Sequence, residues 1–441
     1  MSNVASYWFS PTPSEVASSR LSLDFGLRAA DLFFRELVVP GLGRIWFVRQ
    51  LSWPLAALAL HKELANDGSD APKPTAICHG IEALACKLSY INNPNASLPR
   101  CLGRRAFGRD APPTKWSFAQ LRQATNYVRN THRQAATRAV RVDNDGLGFV
   151  RGSSFNTLEL EPVGRALAEA FLDQHVGRGQ MRLRKWLTNW IQGNREIPNS
   201  QTTLLHALAP DYATKEECDI VRSRLLGTVS PACEKRKRLA SAVGRAADLP
   251  DIENSVVVRL REHRHGEQQA NEIVAARAFG AMLDRTRDAV ASLSIAVEPA
   301  RKGVNVAALA ANSSVMNPCM DLRTAANSYI DKANATNERE PTSRSFANAV
   351  IAADECETIR FLVRRAGELL ALADGSVVRG PLFRTIVVSN ANDVNDDDED
   401  DLEDGASKIE PDRKDRLRTG RTFRIANLHS LLRDIYRRGA R

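Results

Sequence analysis

The chain is poor in the signatures by which enzymes betray themselves. It has no GxxxxGK(S/T) phosphate loop, no GxSxG elbow, no HExxH helix and no GxGxxG turn, which excludes the commonest nucleotide-dependent, hydrolytic and zinc chemistries. His61-Lys62 lacks the HxK spacing of phospholipase D-type nucleases. Asp354-Glu355 with Glu357 is followed by Arg360 and not by a strand bearing ExK. The seven cysteines (Cys78, Cys86, Cys101, Cys218, Cys233, Cys319, Cys356) form no CxxC or CxxH pair, so zinc and disulfides are not expected. Their pattern, with a polar, Pro/Ser-rich start from Met1 to Arg20, predicts free thiols and a cytoplasmic location. Uninterrupted apolar runs are missing too. Leu32 to Leu60 comes nearest, but Arg35, Glu36, Pro40, Gly41, Gly43, Arg44 and Arg49 break it well short of the roughly 20 residues that a span needs. No membrane partner is expected.

Lysine is scarce as well: 12 Lys stand against 49 Arg in a 441-residue chain of net charge +9. Much of the positive excess is masked by nine carboxylates, Asp393, Asp396, Asp397, Asp398, Glu399, Asp400, Asp401, Glu403 and Asp404, without which the chain carries +18. A basic body attached to an acidic segment points to an anionic partner, because positive potential gathers phosphates within a Debye length of about 8–10 Å. Arginine suits that role by its bidentate geometry, although a GC-rich genome raises Arg and Ala together and explains the bias equally.

Spacing divides the chain into six parts. Residues 1–19 read as a flexible start, 20–111 as a helical domain with Trp46, Phe47 and Trp53 in its core, and 112–180 as a distinct module. Residues 181–389 read as a mainly helical domain, softening into Ala, Asn and Ser from Ala307 to Asn337. An amphipathic helix is then predicted from Phe346 to Leu372 and a late strand from Leu382 to Val388. Residues 390–412 have the composition of a disordered acidic linker, and 413–441 of a basic amphipathic helix.

The module at 112–180 says most. Ser117 is an N-cap candidate, Thr131 to Val142 a cation-rich helix, Leu147–Val150 and Thr157–Leu160 short strands about a tip at Arg151–Asn156, and Pro162 the first residue of a closing helix with Leu167, Ala168 and Phe171 inward. Helix (Ser117 through Leu121, Ala124 and Tyr127), helix, two-stranded wing and closing helix, with the wording Gly146-Leu147-Gly148-Phe149-Val150 and Glu161-Pro162-Val163-Gly164-Arg165-Ala166-Leu167-Ala168, resembles the winged helix-turn-helix superfamily over about 60 residues. The resemblance implies a recognition helix from Thr131 to Arg141 and a phosphate-touching wing. Its footprint would be Arg129, His132, Arg133, Arg138, Arg141 and Arg151, with DNA the favoured nucleic acid. Winged helices also serve as protein-docking modules.

Outside that module, Lys235-Arg236-Lys237-Arg238 is the densest basic run and a second candidate phosphate contact, or else a solvated helix end. His263 and Glu267 stand at i and i+4 on a predicted helix, but no third ligand is near and no metal or cofactor is expected. The tail from Arg413 holds ten Lys/Arg against two Asp, and its Phe423, Leu428, Leu431, Leu432 and Ile435 make an apolar stripe suited to docking on a partner or on the body. In general style the chain resembles bacterial proteins of anti-phage defence gene clusters, which implies a nuclease or helicase as protein partner. The expectation is therefore a mainly α, multidomain, non-enzymatic protein with an embedded winged helix and few short strands, binding nucleic acid or acting as an adaptor.

Overall fold

Leu51, Trp53, Leu55, Leu58 and Leu60 are apolar on every side of one helical turn after another, so this segment has no face to give to water. It becomes a helix buried along its whole first half, even at Arg49, Gln50, Ser52 and Pro54. The same holds from Ile77 to Cys86. These two helices lie side by side at the centre of the larger part of the molecule. The computed structural model describes residues 24–68, 70–92, 115–122, 132–142, 145–176, 181–194, 197–198, 202–210, 212–227, 231–246, 252–300, 302–336, 340–381, 383 and 424–437.

In chain order the helices are α1 (Arg28–Val38), α2 (Arg49–Asn66), α3 (Pro74–Asn92), α4 (Phe118–Leu121), α5 (His132–Val140) and α6 (Pro162–Leu172). Then come α7 (Leu183–Ile191), α8 (Thr202–Leu208), α9 (Lys215–Leu226), α10 (Pro231–Ala246), α11 (Ile252–Arg261) and α12 (Glu267–Val297). The last are α13 (Val306–Ala310), α14 (Ser313–Asn334), α15 (Pro341–Ala352), α16 (Glu355–Arg365) and α17 (Ile425–Arg437). Strands are short: β1 (Lys115–Trp116) pairs antiparallel with β6 (Ile197–Pro198), β2 (Val150–Arg151) with β3 (Glu159–Leu160), and β4 (His175–Val176) with β5 (Met181–Arg182). Strands β7 (Val304–Asn305), β8 (Leu370–Ala373) and β9 (Ser376–Arg379) form a sheet in the order β7-β9-β8. The protein is mainly α, and among the described residues no helix is long and apolar enough to cross a membrane.

Two units are present, and their boundaries differ from the expected blocks. The larger lies within Leu32–Ala278, Lys332–Arg339 and Glu399–Arg441, the smaller within Met1–Asp31, Phe279–Asp331 and Glu340–Asp398. The 112–180 module does not stand apart from 20–111, because α5 and α6 both pack on α2. In the larger unit the fully buried Arg49 guanidinium donates to the carbonyls of Ala209 and Tyr212, to Gln174 Oε1 and to Glu217 Oε2. Ser52 donates to the other Glu217 oxygen at 2.7 Å, so this charge is paired and hydrogen-bonded as burial requires.

In the smaller unit the chain expected to soften is the 22-residue helix α14, whose Val315, Cys319, Leu322, Ala326 and Tyr329 are buried at helical spacing. The single helix expected from Phe346 to Leu372 is instead two, α15 and α16, followed by the β8–β9 hairpin. That hairpin turns at Asp374-Gly375, both with positive φ (48° and 75°), as a two-residue turn of this kind demands. The late strand expected from Leu382 to Val388 lies, except Phe383, outside the described residues, as do residues 1–19 and 390–412.

Candidate nucleic-acid interface

Helix α5 buries Ala136, Ala139 and Val140 and leaves its last carbonyls to be satisfied. The chain turns at Asp145 and then runs alongside the helix end in the same direction, with a parallel bridge between Arg141 and Val150. Leu147 N donates to Ala139 O (2.7 Å), Phe149 N to Val140 O (2.8 Å), Gly148 N to Arg141 O (3.0 Å) and Val142 N to Val150 O (3.0 Å). The β2–β3 hairpin grows out of this ladder, and Pro162 then opens α6 at its first turn. Gly164 sits where a Cβ would lie 2.0 Å from Phe149 O, so only glycine allows α6 so close to the ladder. Helix end, hairpin and closing helix are locked by backbone contacts into one ridge.

The hairpin tip is half committed. Phe155 is buried, and Asn156 Oδ1 accepts from Thr75 N (3.1 Å) and Thr75 Oγ1 (2.6 Å) at the start of α3. Gly152, Ser153 and Ser154 are exposed. Arg133 takes part in that docking: its guanidinium lies 5.0 Å from the Phe155 ring centroid and its Nε donates to His79 Nε2 at 3.4 Å. Burial first, and then this guanidinium, press the His79 pKa down to about 4. Below it, the Cys78 thiol donates to Glu82 at 3.2 Å, and burial followed by that carboxylate holds its pKa well above the usual thiol range. Such a thiol is a poor nucleophile.

The predicted cations are therefore placed unequally. Arg129 lies outside the described residues, as does the side chain of His132. Arg133 is half-buried and joins three elements. Arg138 keeps its side chain 39% exposed while its Nε sits 3.0 Å from Glu36 Oε1. Arg141 is half-exposed at the helix end. Arg151 is 73% exposed on β2 and pairs at 2.9 Å with Glu161. Arg165, at the first turn of α6 and exposed, was not singled out by sequence reasoning. Its place opposite the inward Leu167, Ala168 and Phe171 is the signal that would have found it.

The basic run at 235–238 is a correction. Arg236 is fully buried, donating to Leu225 O (3.1 Å), Pro40 O (2.9 Å), Asp145 O (2.9 Å) and the Cys233 sulfur (3.1 Å), and it cannot reach a phosphate. Burial lowers its pKa. Helical spacing explains the position: Cys233, Arg236, Leu239 and Val243 are one inward stripe. Lys235 pairs with Glu272 at 2.5 Å, Arg238 donates to Gln269, and Lys237 is exposed.

The tail is a second correction. Leu428, Leu431, Leu432 and Ile435 are buried in this chain, α17 lying against α9 and α10, so they do not form an open partner-docking face; Phe423 lies outside the described residues. Asp434 Oδ2 accepts from Val48 N at 2.8 Å, satisfying the start of α2, and Arg424 pairs with Glu36 Oε1. Glu36 thus serves Arg138 and Arg424 through one oxygen, while its Oε2 accepts from Gly41 N at 2.8 Å. His263 and Glu267 are exposed but do not share a helix face, because α11 ends at Arg261 and α12 starts at Glu267. Among the described residues no group of three His, Cys, Asp or Glu is placed to hold a metal ion.

Compared with known proteins, the chain matches no family model, no curated protein and no solved structure.

Proposed function

We propose that this protein is a non-enzymatic nucleic-acid-binding subunit that grips duplex DNA by its phosphates. The footprint is smaller than the one expected from the sequence. It consists of Arg138, Arg141, Arg151 and Arg165 beside the exposed Gly152–Ser154 tip. One observation carries the reading: the backbone ladder from Ala139 to Val150 fuses a cation-bearing helix end to a hairpin whose Arg151 is 73% exposed, giving a rigid cationic ridge. Rigid placement of arginines lowers the entropic cost of each phosphate contact. Binding is then salt-dependent, each neutralised phosphate contributing about 0.9 to the log–log slope. Fluorescence anisotropy with labelled duplex between about 50 and 300 mM salt tests it. Changing Arg138 and Arg151 together to Glu is expected to abolish binding with the circular dichroism spectrum unchanged. Affinity and slope equal to wild type in that variant refute the reading.

An adaptor that docks on a nuclease or helicase is the second reading, and one feature of the smaller unit favours it. The exposed face of α14 shows Ser313, Ser314, Asn317, Met320, Asp321, Thr324, Asn327 and Asp331, with a cation, Lys332, only in its last turn, and Met320 is 61% exposed. Such a face suits a protein partner better than phosphate. Stoichiometric co-purification that Met320→Arg abolishes supports the adaptor, and co-purification indifferent to that change removes α14 from it.

A further inference from the structure

We propose that Glu36 is a positioning residue of the phosphate-facing ridge, a shared anion through which docking of the C-terminal helix α17 governs the release of Arg138. The inference rests on the nucleic-acid reading above. It begins with the crowding at one carboxylate. Glu36 Oε1 faces Arg138 Nε at 3.0 Å and pairs also with Nη1 of Arg424, a residue 388 positions away in sequence.

The carboxylate cannot turn to favour either partner. Its Oε2 is held by Gly41 N at 2.8 Å. Gly41 itself is fixed: its φ is +66°, and a Cβ there would lie 1.9 Å from Asp145 O. That same carbonyl is gripped by the buried Arg236 at 2.9 Å. The two arginines therefore compete for one immobile oxygen.

They compete on unequal terms. The Arg424 side chain is 6% exposed, that of Glu36 17% and that of Arg138 39%. Less water between charges means weaker screening, so Arg424 is the tighter partner and Arg138 the one able to swing outward. When Arg138 leaves for a phosphate, Arg424 remains and Glu36 is not stranded. Without Arg424, the departure of Arg138 leaves a largely buried carboxylate unpaired, and the pair resists. A docked tail thus makes Arg138 available. By reciprocity, a phosphate that takes Arg138 leaves the whole of Glu36 to Arg424 and holds the tail more firmly.

Two measurements on the full chain test this. The first is anisotropy with duplex DNA. Arg424→Gln is expected to weaken binding about two- to five-fold, with the salt slope reduced by about one phosphate. Arg424→Lys, which keeps the charge, restores both. Glu36→Gln frees Arg138 and makes binding indifferent to Arg424→Gln, which simple loss of structure would not do.

The second measurement uses no nucleic acid. Hydrogen exchange of the amides of residues 425–437 is expected to slow about two- to five-fold in Arg138→Gln, because Glu36 then serves the tail alone, and to quicken in Glu36→Gln. Tail exchange unchanged in Arg138→Gln overturns the coupling, whatever the protein binds. Tail exchange that responds as expected in a protein that binds no duplex at 50 mM salt overturns the phosphate half and leaves the Glu36 coupling standing.

Discussion

Leu428 sits in the middle of α17 with no exposed surface, its stripe docked on the body, one of the two dockings that its sequence suits. Replacing it by alanine removes three carbon atoms from a packed interface with α9 and α10. Buried Leu→Ala changes cost about 2–5 kcal/mol, a loss that combines transfer to water with an unfilled cavity. For a cooperative unit of more than 150 residues each kcal/mol lowers Tm by about 2–4 °C, so a fall of roughly 4–20 °C is expected. Thermal unfolding of the full chain followed by circular dichroism reads it directly. Arg433→Ala, an exposed change on the same helix, is the control and should move Tm by no more than about 1–2 °C. A Tm for Leu428→Ala as high as wild type would mean that α17 spends its time away from α9 and α10. The corrected assignment of the tail, and the Glu36 coupling with it, would then be wrong.

Three further outcomes are expected. His79 has a folded pKa of about 4 against an ordinary 6.5, so between those values the unfolded chain binds a proton that the folded chain refuses. Stability is therefore complete above pH 6.5 and falls as pH drops toward 4, by at most about 3 kcal/mol, and His79→Gln should flatten urea midpoints measured across that window. Arg236→Gln should destabilise by about 3 kcal/mol or more, with Arg236→Lys no rescue, because the planar fork answers carbonyls from three separate segments; a lysine variant as stable as wild type contradicts this. Gly164→Ala should cost at least about 1–3 kcal/mol through the clash with Phe149 O, and a neutral substitution would show that α6 can slide away from the ladder.

What could be read in advance followed large local patterns. Pro162 as the first residue of α6, Ser117 as its own helix's cap, and the inward Leu167, Ala168 and Phe171 are all contained within a few residues of sequence. The ridge was legible for the same reason, since its helix, hairpin and closing helix are consecutive. The misreadings have two causes. Helix α14 is hard to read because half of its inward positions are small, Cys319, Ala326 and Ala333 alternating with Val315, Leu322 and Tyr329, which gives little apolar contrast. The start of β8, Leu370 to Leu372, reads as the end of the helix expected from Phe346, so the hairpin that turns at Asp374-Gly375 goes unread. Pairings across the chain are of another kind. Nothing near Arg236 announces Pro40 or Asp145, and nothing near Glu36 announces Arg424, so charged residues that read as surface are spent inside.

The distance between Glu36 and Arg424 along the chain also sets an order of events during synthesis. At about 5–20 residues per second, the 388 residues between them take roughly 20 to 80 s to emerge from a ribosome. Until Asp434 emerges α2 lacks that carboxylate at its first turn, and from about midway, once α9 and α10 have been made, the surface that α17 will cover stands open to water. The larger unit is begun by some of its earliest helices and closed by one of its last, so its nascent form keeps apolar surface uncovered for longer than a unit folded from one continuous stretch.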